Sequence, residues 1–397
     1  MSLAEGEIRG EITEQSLSRL LERKDVERTR PGAMQRDFLT PSRWAEGDLA
    51  KANFVVTSEM NERLARGIGD MNLLFLDPAY ARKSPFGRKI TPPSMMAYAE
   101  NVNGAVDGFP GCHAIWRGLE FEWEEPIYTD EPILSSSRLI DAKIVDSKFA
   151  GGMAGIQSYE TRIENLDGQS KGVYRTHWHR FSRKKAASSG KYKKTEEKHW
   201  TDEELNAIWE EYRQYNFNRR TSEALYVEDV DVGQDIPHIV KGPINLTSKL
   251  AFEFARGAGG WFVGHELAVE LFEQYPNLAF RNEENVPEPP VAIHWTNERC
   301  QKYLGMPKAY EAGYERINWL AQMAMSWMGD HGRMVKMGLQ FHGFHWQGDA
   351  IRMHGKVTAK DETTGMVDLD IRTVTHRGED TCTGTMRVKL PVRQGSQ

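Results

Sequence analysis

The sequence predicts an α+β fold in which two similar units follow each other, each with a curved antiparallel sheet wrapped around a central helix. The chain has 397 residues, more than one ordinary domain. The same order of helices followed by strands occurs twice. One helix of the second half is apolar on nearly every side, so a sheet must enclose it. This is the hot-dog arrangement, and two in tandem make a double hot-dog.

The first half shows two helical segments and then four strands. A helix is predicted over Ser58 to Ile68, and the Pro-rich turn at residues 91–94 predicts the start of a second, apolar helix. Alternating or β-rich segments follow, separated by turns such as Asp167-Gly168. The predicted strands are Ile115 to Trp123, Ile133 to Val145, Gly155 to Asn165 and Gly172 to Phe181.

The second half repeats this order. A helix over Ser248 to Arg256 precedes a loop that reaches His294, and the apolar helix over Tyr314 to Met328 follows. Four strands complete the unit. They are predicted at Leu339 to Trp346, Ile351 to Lys360, Met366 to His376 and Gly384 to Pro391.

The middle of the chain predicts a linker. Residues 186–198 are small, polar or charged without an apolar period, and a helix is predicted directly after them, at Glu203 to Tyr215. We therefore expect an N-terminal helical extension at 1–40, a first hot-dog domain at 41–185, a linker and connecting helix at 186–220, and a second hot-dog domain at 221–397.

Composition and residue spacing argue against several classes of protein. Hydrophobic residues make up 39% and charged residues 27%, which is typical of a folded protein, and the net charge of -6 gives no reason to expect a nucleic-acid or membrane partner. The three cysteines lie far apart, and His177 and His179 lack a third ligand, so no metal site is predicted. The first residues lack a signal peptide's apolar core, so we expect a cytoplasmic protein.

Several motifs, in order, resemble the tandem MaoC-like proteins that include the hydratase-2 type enoyl-CoA hydratases. The first half has Gly69-Asp70-Met71-Asn72, which is similar to the family's loop. In the second half, residues 228–233 are similar to the start of a family domain, and Ile293-His294 leads to Gly313 and the apolar helix. The resemblance covers most of the chain and implies a hydratase or dehydratase of acyl-CoA thioesters that needs no cofactor.

The chain departs from the family's aspartate and histidine pair, whose members stand five positions apart. The first half has Phe75 where the histidine belongs, so we expect it to be non-catalytic. The second half keeps His294, but Pro289 stands where the aspartate belongs. Glu284 or Glu288 is the expected carboxyl partner.

The resemblance and the chemistry of hydration together suggest roles for eight residues. His294 is expected to act as acid or base, with Glu288 as partner and His265 as a second candidate. Gly313 is expected at an oxyanion site, where amides at a helix start stabilise negative charge on a thioester oxygen. The expected substrate-binding residues are Asp70, Asn72, Trp295 and Tyr314; Asp70 is also suited to bracing its own loop.

Two other functions stay open at this point. A thioesterase on the same fold would use a carboxylate to activate water against the carbonyl carbon, and a non-catalytic subunit would bind the acyl group for a separate active chain. The expected partner is an acyl-CoA or an acyl-carrier-protein substrate. Monomer and homodimer are both compatible with a tandem double unit.

Overall fold

The computed structural model describes residues 5–29, 41, 44–182, 197–256, 263–274 and 279–393. Most of the predicted linker, residues 186–196, lies outside these ranges. The strands are β1 (His113–Trp123), β2 (Ile133–Ser147), β3 (Gly152–Asn165), β4 (Ser170–Phe181), β5 (Asp235–Lys241), β6 (Phe280–Arg281), β7 (Pro287–Glu288), β8 (Arg333–Phe341), β9 (Ile351–Asp361), β10 (Met366–Thr375) and β11 (Asp380–Lys389).

The described residues also form nine α-helices. The α-helices are α1 (Glu14–Leu21), α2 (Ser58–Ile68), α3 (Leu73–Leu76), α4 (Pro78–Ala81), α5 (Asp202–Asn218), α6 (Leu246–Ala255), α7 (His265–Gln274), α8 (Asn297–Arg299) and α9 (Gly313–Met328). Short 3-10 helices cover Leu49–Lys51, Pro93–Ala99, Val227–Asp229 and Pro290–His294, and a π-helical turn covers Cys300–Leu304. In the part of the chain that the structure describes, none of the helices is long and apolar enough to span a bilayer.

One nine-stranded sheet joins the two halves. Its order is β2-β3-β4-β1-β8-β11-β10-β9-β5, so each half contributes a continuous block of strands. The blocks meet where β1 pairs antiparallel with β8, in a register that runs from Gly118 opposite Gln340 to Glu122 opposite Lys336. This pairing covers an edge on each half that would otherwise be open to other chains.

Helix α9 is the central helix of the second half. Its residues from Glu315 to Met328 are all buried, as the apolar sequence predicts, and they pack against β5, β8 and β9. A helix apolar on every side gains by full enclosure, because each large side chain removed from water contributes about 1.5–3 kcal/mol. The predicted double hot-dog architecture is confirmed.

Two local predictions need correction. The second helix of the first half is a seven-residue 3-10 helix, Pro93–Ala99, although its side chains from Ser94 onward are buried. The first strand after α9 spans Arg333–Phe341 and not Leu339 to Trp346. The chain leaves the sheet because Phe344 and Trp346 pack in a separate cluster with Met306.

Strand β5 was not predicted. Its sequence contains Pro237, which lacks the amide hydrogen that a strand in the middle of a sheet must donate. The structure accommodates it because β5 is the last strand of the sheet and pairs only with β9, with an irregularity between Ile236 and Ile239.

Candidate active site

A cavity of about 670 Å³ lies at the seam between the two halves. One side is formed by the first half, through the beginning of β1 and part of β4. The other is formed by α6, the 3-10 turn at Pro290–His294 and the N-terminus of α9. The cavity therefore exists only where the two units meet.

Helix α6 places a row of charged side chains on the cavity. Asn245 caps the helix by accepting a hydrogen bond from the Ser248 amide at 2.8 Å. Lys249, Glu253 and Arg256 follow at spacings of four and three, so they share one helix face. That face lines the cavity, although Lys249 and Glu253 are buried.

Lys249 holds the turn that carries His294. Its ammonium donates to the carbonyls of His294 at 3.0 Å and Trp295 at 3.1 Å, and to Gln347 Oε1 at 2.8 Å. A lysine has three hydrogens to donate, and these three acceptors match them. Burial lowers the pKa of Lys249 to about 8, and nearby groups, Cys300 first among them, oppose the shift.

His294 ends the 3-10 turn and is half-buried on the cavity wall. Its ring meets the Tyr310 ring edge to face, with 4.6 Å between centroids. An imidazole in this position lies beside a space large enough for a substrate, where it can take part in proton transfer.

Gly313 begins α9 at the cavity and is in close contact with the first half. A Cβ on this residue would lie 2.7 Å from Trp116 Cε3, which is closer than real Cβ contacts allow. Trp116 comes from β1, next to a register shift between Trp116 and Gly118. The first amides of a helix have no intrahelical acceptor, so those of Gly313 and Tyr314 are suited to binding a thioester oxygen.

Two buried glutamates flank this helix start. Glu311 accepts hydrogen bonds from the Arg316 guanidinium and, at 3.0 Å, from the His345 amide. Glu315 accepts a hydrogen bond from the Ala312 amide at 3.1 Å. Burial raises the pKa of Glu315 well above its usual value, and the charges of Glu311 and Glu253 raise it further.

Four of the predicted site residues meet at this cavity: His294, Trp295, Gly313 and Tyr314. The Tyr314 hydroxyl donates to Glu100 Oε1 at 3.0 Å, and its ring stacks on Tyr98 with centroids 4.8 Å apart. Their roles in binding or catalysis stay predictions.

Two predicted acid or base candidates lie elsewhere. Glu288 is outside the cavity lining, and its carboxylate accepts hydrogen bonds from Arg299 at 2.9 Å and from Asn282 at 2.6 Å. His265 begins α7 and is exposed, with a φ of 53°. Neither residue lines the cavity that contains His294.

Asp70 and Asn72 support the first half's own loop. Asp70 is buried and accepts a hydrogen bond from Arg219 at 3.2 Å, while Asn72 caps α3 by accepting from the Leu74 amide at 3.0 Å. Gln322 donates to the neighbouring Gly69 carbonyl at 3.0 Å. Gln322 lies nine positions after Gly313 in α9, which corresponds to about 13 Å along the helix. This loop is therefore remote from the cavity.

The structure adds residues that the sequence did not single out. Lys249, Glu253 and Arg256 could have been noticed as charged residues at helical spacing in an otherwise apolar helix. Glu315 could have been noticed as a charge in the first turn of the most apolar helix. Trp116 has no such signal, because its position depends on how β1 and β8 bring the halves together.

Comparison with known proteins supports the resemblance. Residues 47–170 match the family model described as FAS1-like, dehydratase domain region, which covers less than half of the chain. No curated protein is similar enough to be matched. A solved structure described as a MaoC-like dehydratase aligns at 14% identity and a TM-score of 0.60, covering 94% of this chain and 100% of that one.

Two further solved structures align more loosely. A putative MaoC domain dehydratase from Chloroflexus aurantiacus has 10% identity and a TM-score of 0.49, with coverage of 86% of this chain and 93% of that one. A MaoC-like dehydratase from Phytophthora capsici has 11% identity, a TM-score of 0.49 and coverage of 86% and 94%. The predicted MaoC-like resemblance is confirmed. The alignment with a TM-score of 0.60 supports the fold.

Proposed function

We propose that this chain, which has the double hot-dog fold of MaoC-like dehydratases, is a hydro-lyase that adds water to an enoyl thioester or removes it from a 3-hydroxyacyl thioester. One observation supports the proposal above all: an imidazole and the N-terminus of the central helix line the same cavity at the seam. The reaction needs a proton-moving group and a site for negative charge, and this arrangement offers both.

In this mechanism the acyl group lies in the cavity with its carbonyl oxygen at the amides of Gly313 and Tyr314. These amides stabilise the negative charge that develops on the oxygen when water attacks C3. His294 takes a proton from that water in hydration and returns it to the leaving hydroxyl in dehydration. Lys249 contributes by fixing the backbone of His294 and Trp295.

The test is an assay of purified full-length chain with crotonyl-CoA, a medium-chain enoyl-CoA and cinnamoyl-CoA, followed by loss of the enoyl thioester absorbance. We expect turnover of at least one probe and a loss of about a hundredfold or more in kcat for His294→Ala. His265→Ala is the matched control, because His265 is exposed and outside the cavity, and it should keep full activity.

The same assay separates the other functions. A thioesterase would release free CoA thiol from the probes without forming the 3-hydroxyacyl product. A non-catalytic subunit would show no turnover alone. Either result, or undiminished turnover in His294→Ala, would contradict the proposal.

A further inference from the structure

Hydration also delivers a proton to C2, and a group other than the one that takes a proton from water can supply it. The residue five positions before His294 is Pro289, which has no proton to give. We propose that Glu315, in the first turn of α9, is the catalytic acid that protonates C2. This inference rests on the proposed function.

The position of Glu315 fits this role. The residue is 3% exposed and lines the same cavity as His294, and its carboxyl accepts a hydrogen bond from the Ala312 amide at the helix start. The thioester oxygen would lie at the amides of Gly313 and Tyr314, directly beside it. Because C2 is bonded to the carbonyl carbon, a group next to the oxygen site is also within reach of C2.

The carboxyls of Glu253 and Glu311, which lie near Glu315, each pair with an arginine. Glu253 pairs with Arg256, with 2.8 Å between Arg256 Nε and Glu253 Oε2, and Glu311 pairs with Arg316. Across the described residues, no cationic side chain lies within 4.0 Å of the Glu315 carboxyl. A buried carboxyl without an arginine partner favours the protonated form more strongly than one that has such a partner.

The charges around Glu315 also favour its neutral form. The ammonium of Lys249 opposes protonation, but its effect is smaller than those of burial, Glu311 and Glu253. Burial comes first among the causes that raise the pKa of Glu315, and the charges of Glu311 and Glu253 act in the same direction. These influences favour the protonated carboxyl that the proposed step needs.

The step balances without a further reactant. His294 accepts a proton as the water oxygen bonds to C3, and the electrons of the double bond move toward the thioester oxygen. As this enolate collapses, C2 takes the proton of Glu315, leaving a carboxylate and an imidazolium. The imidazolium then returns a proton to Glu315 through solvent, and dehydration runs the same sequence backwards.

The first experiment compares Glu315→Gln with Asp330→Asn in the hydration assay. A glutamine keeps an oxygen to accept from Ala312, so the helix cap survives while the acid is lost. Asp330 is the matched control: burial raises its pKa too, and it accepts a hydrogen bond from Tyr80 outside the cavity. We expect Glu315→Gln to lose about a hundredfold or more in kcat with little change in KM, and Asp330→Asn to keep its kcat.

A second experiment separates an acid from a merely structural residue. In Glu315→Ala, added acetate should restore part of the lost turnover by entering the vacated space as a carboxylic acid, and it should not rescue His294→Ala. Equal kcat in Glu315→Gln and wild type, or a loss that acetate does not reverse, would overturn the assignment. If wild type turned over no probe, the proposed function itself would fail, which is a separate outcome.

Discussion

Lys249 donates a hydrogen bond to the carbonyl of His294 across 3.0 Å, so a buried ammonium on α6 fixes the turn that presents the imidazole. The same nitrogen holds the Trp295 carbonyl. A charge that would destabilise an apolar interior is thereby used to position a neighbouring loop.

Replacing Lys249 by methionine should lower both stability and turnover. Three partly buried acceptors would lose their donor, and a polar group left unsatisfied in a buried setting costs about 1–3 kcal/mol. We expect a lower free energy of unfolding and a tenfold or greater fall in kcat, because His294 is no longer held. Lys241→Met is the control: that lysine is half-buried and its pKa is also lowered to about 8, but it donates to the Ile68 carbonyl and should affect stability alone.

The stability of the wild type relative to Lys249→Met should depend on pH. The pKa of Lys249 is lowered from 10.5 to about 8 by burial. Between these values the unfolded chain binds a proton that the folded chain does not, so the free energy of unfolding rises with pH through this window. The gain is at most about 3 kcal/mol. Urea unfolding of both proteins on each side of the window would measure it, and a constant difference would contradict the prediction.

Gly313→Ala should damage the site through packing. Its new methyl group would approach Trp116 Cε3 to 2.7 Å, so the tryptophan or the helix start must shift. Overpacking of this kind costs about 1–3 kcal/mol, and the displaced amides should lower kcat. Gly338→Ala is a fair comparison, because the nearest atom to its Cβ is Thr385 Oγ1 at 3.9 Å. Thermal unfolding and the hydration assay check both effects.

Asp70→Asn should reduce stability and leave turnover intact. The change removes the charge that faces Arg219 in a buried setting, with an expected cost of about 1–3 kcal/mol. A large fall in kcat with unchanged stability would instead place Asp70 in the reaction.

The sequence could predict the parts of the fold that a local pattern determines. Helix α9 was found because its apolar residues cover every face, and the paired strands were found by alternation. Strand β5 was missed because Pro237 interrupts that alternation, and only the sheet order shows that it lies at an edge. Whether a strand tolerates a proline depends on which strands lie beside it, and the sequence alone does not reveal the strand order.

The candidate site was predictable only in part for the same reason. His294 and Gly313 stand in motifs with known spacing, and the structure brings them to one cavity. Glu288 is close to His294 in sequence, but Arg299 engages its carboxylate. Glu315 is 21 positions away from His294 and reaches the cavity through the packing of α9, which no spacing rule describes.

The contact of Trp116 with Gly313 makes the two units depend on each other. A truncated gene encoding residues 221–397 would keep every group proposed to move a proton, yet its product would have one wall of the binding space missing and a bare β8 edge. Such a fragment should be inactive and prone to aggregate. Selection on the half that lacks a histidine in its loop should therefore be as strict as on its neighbour.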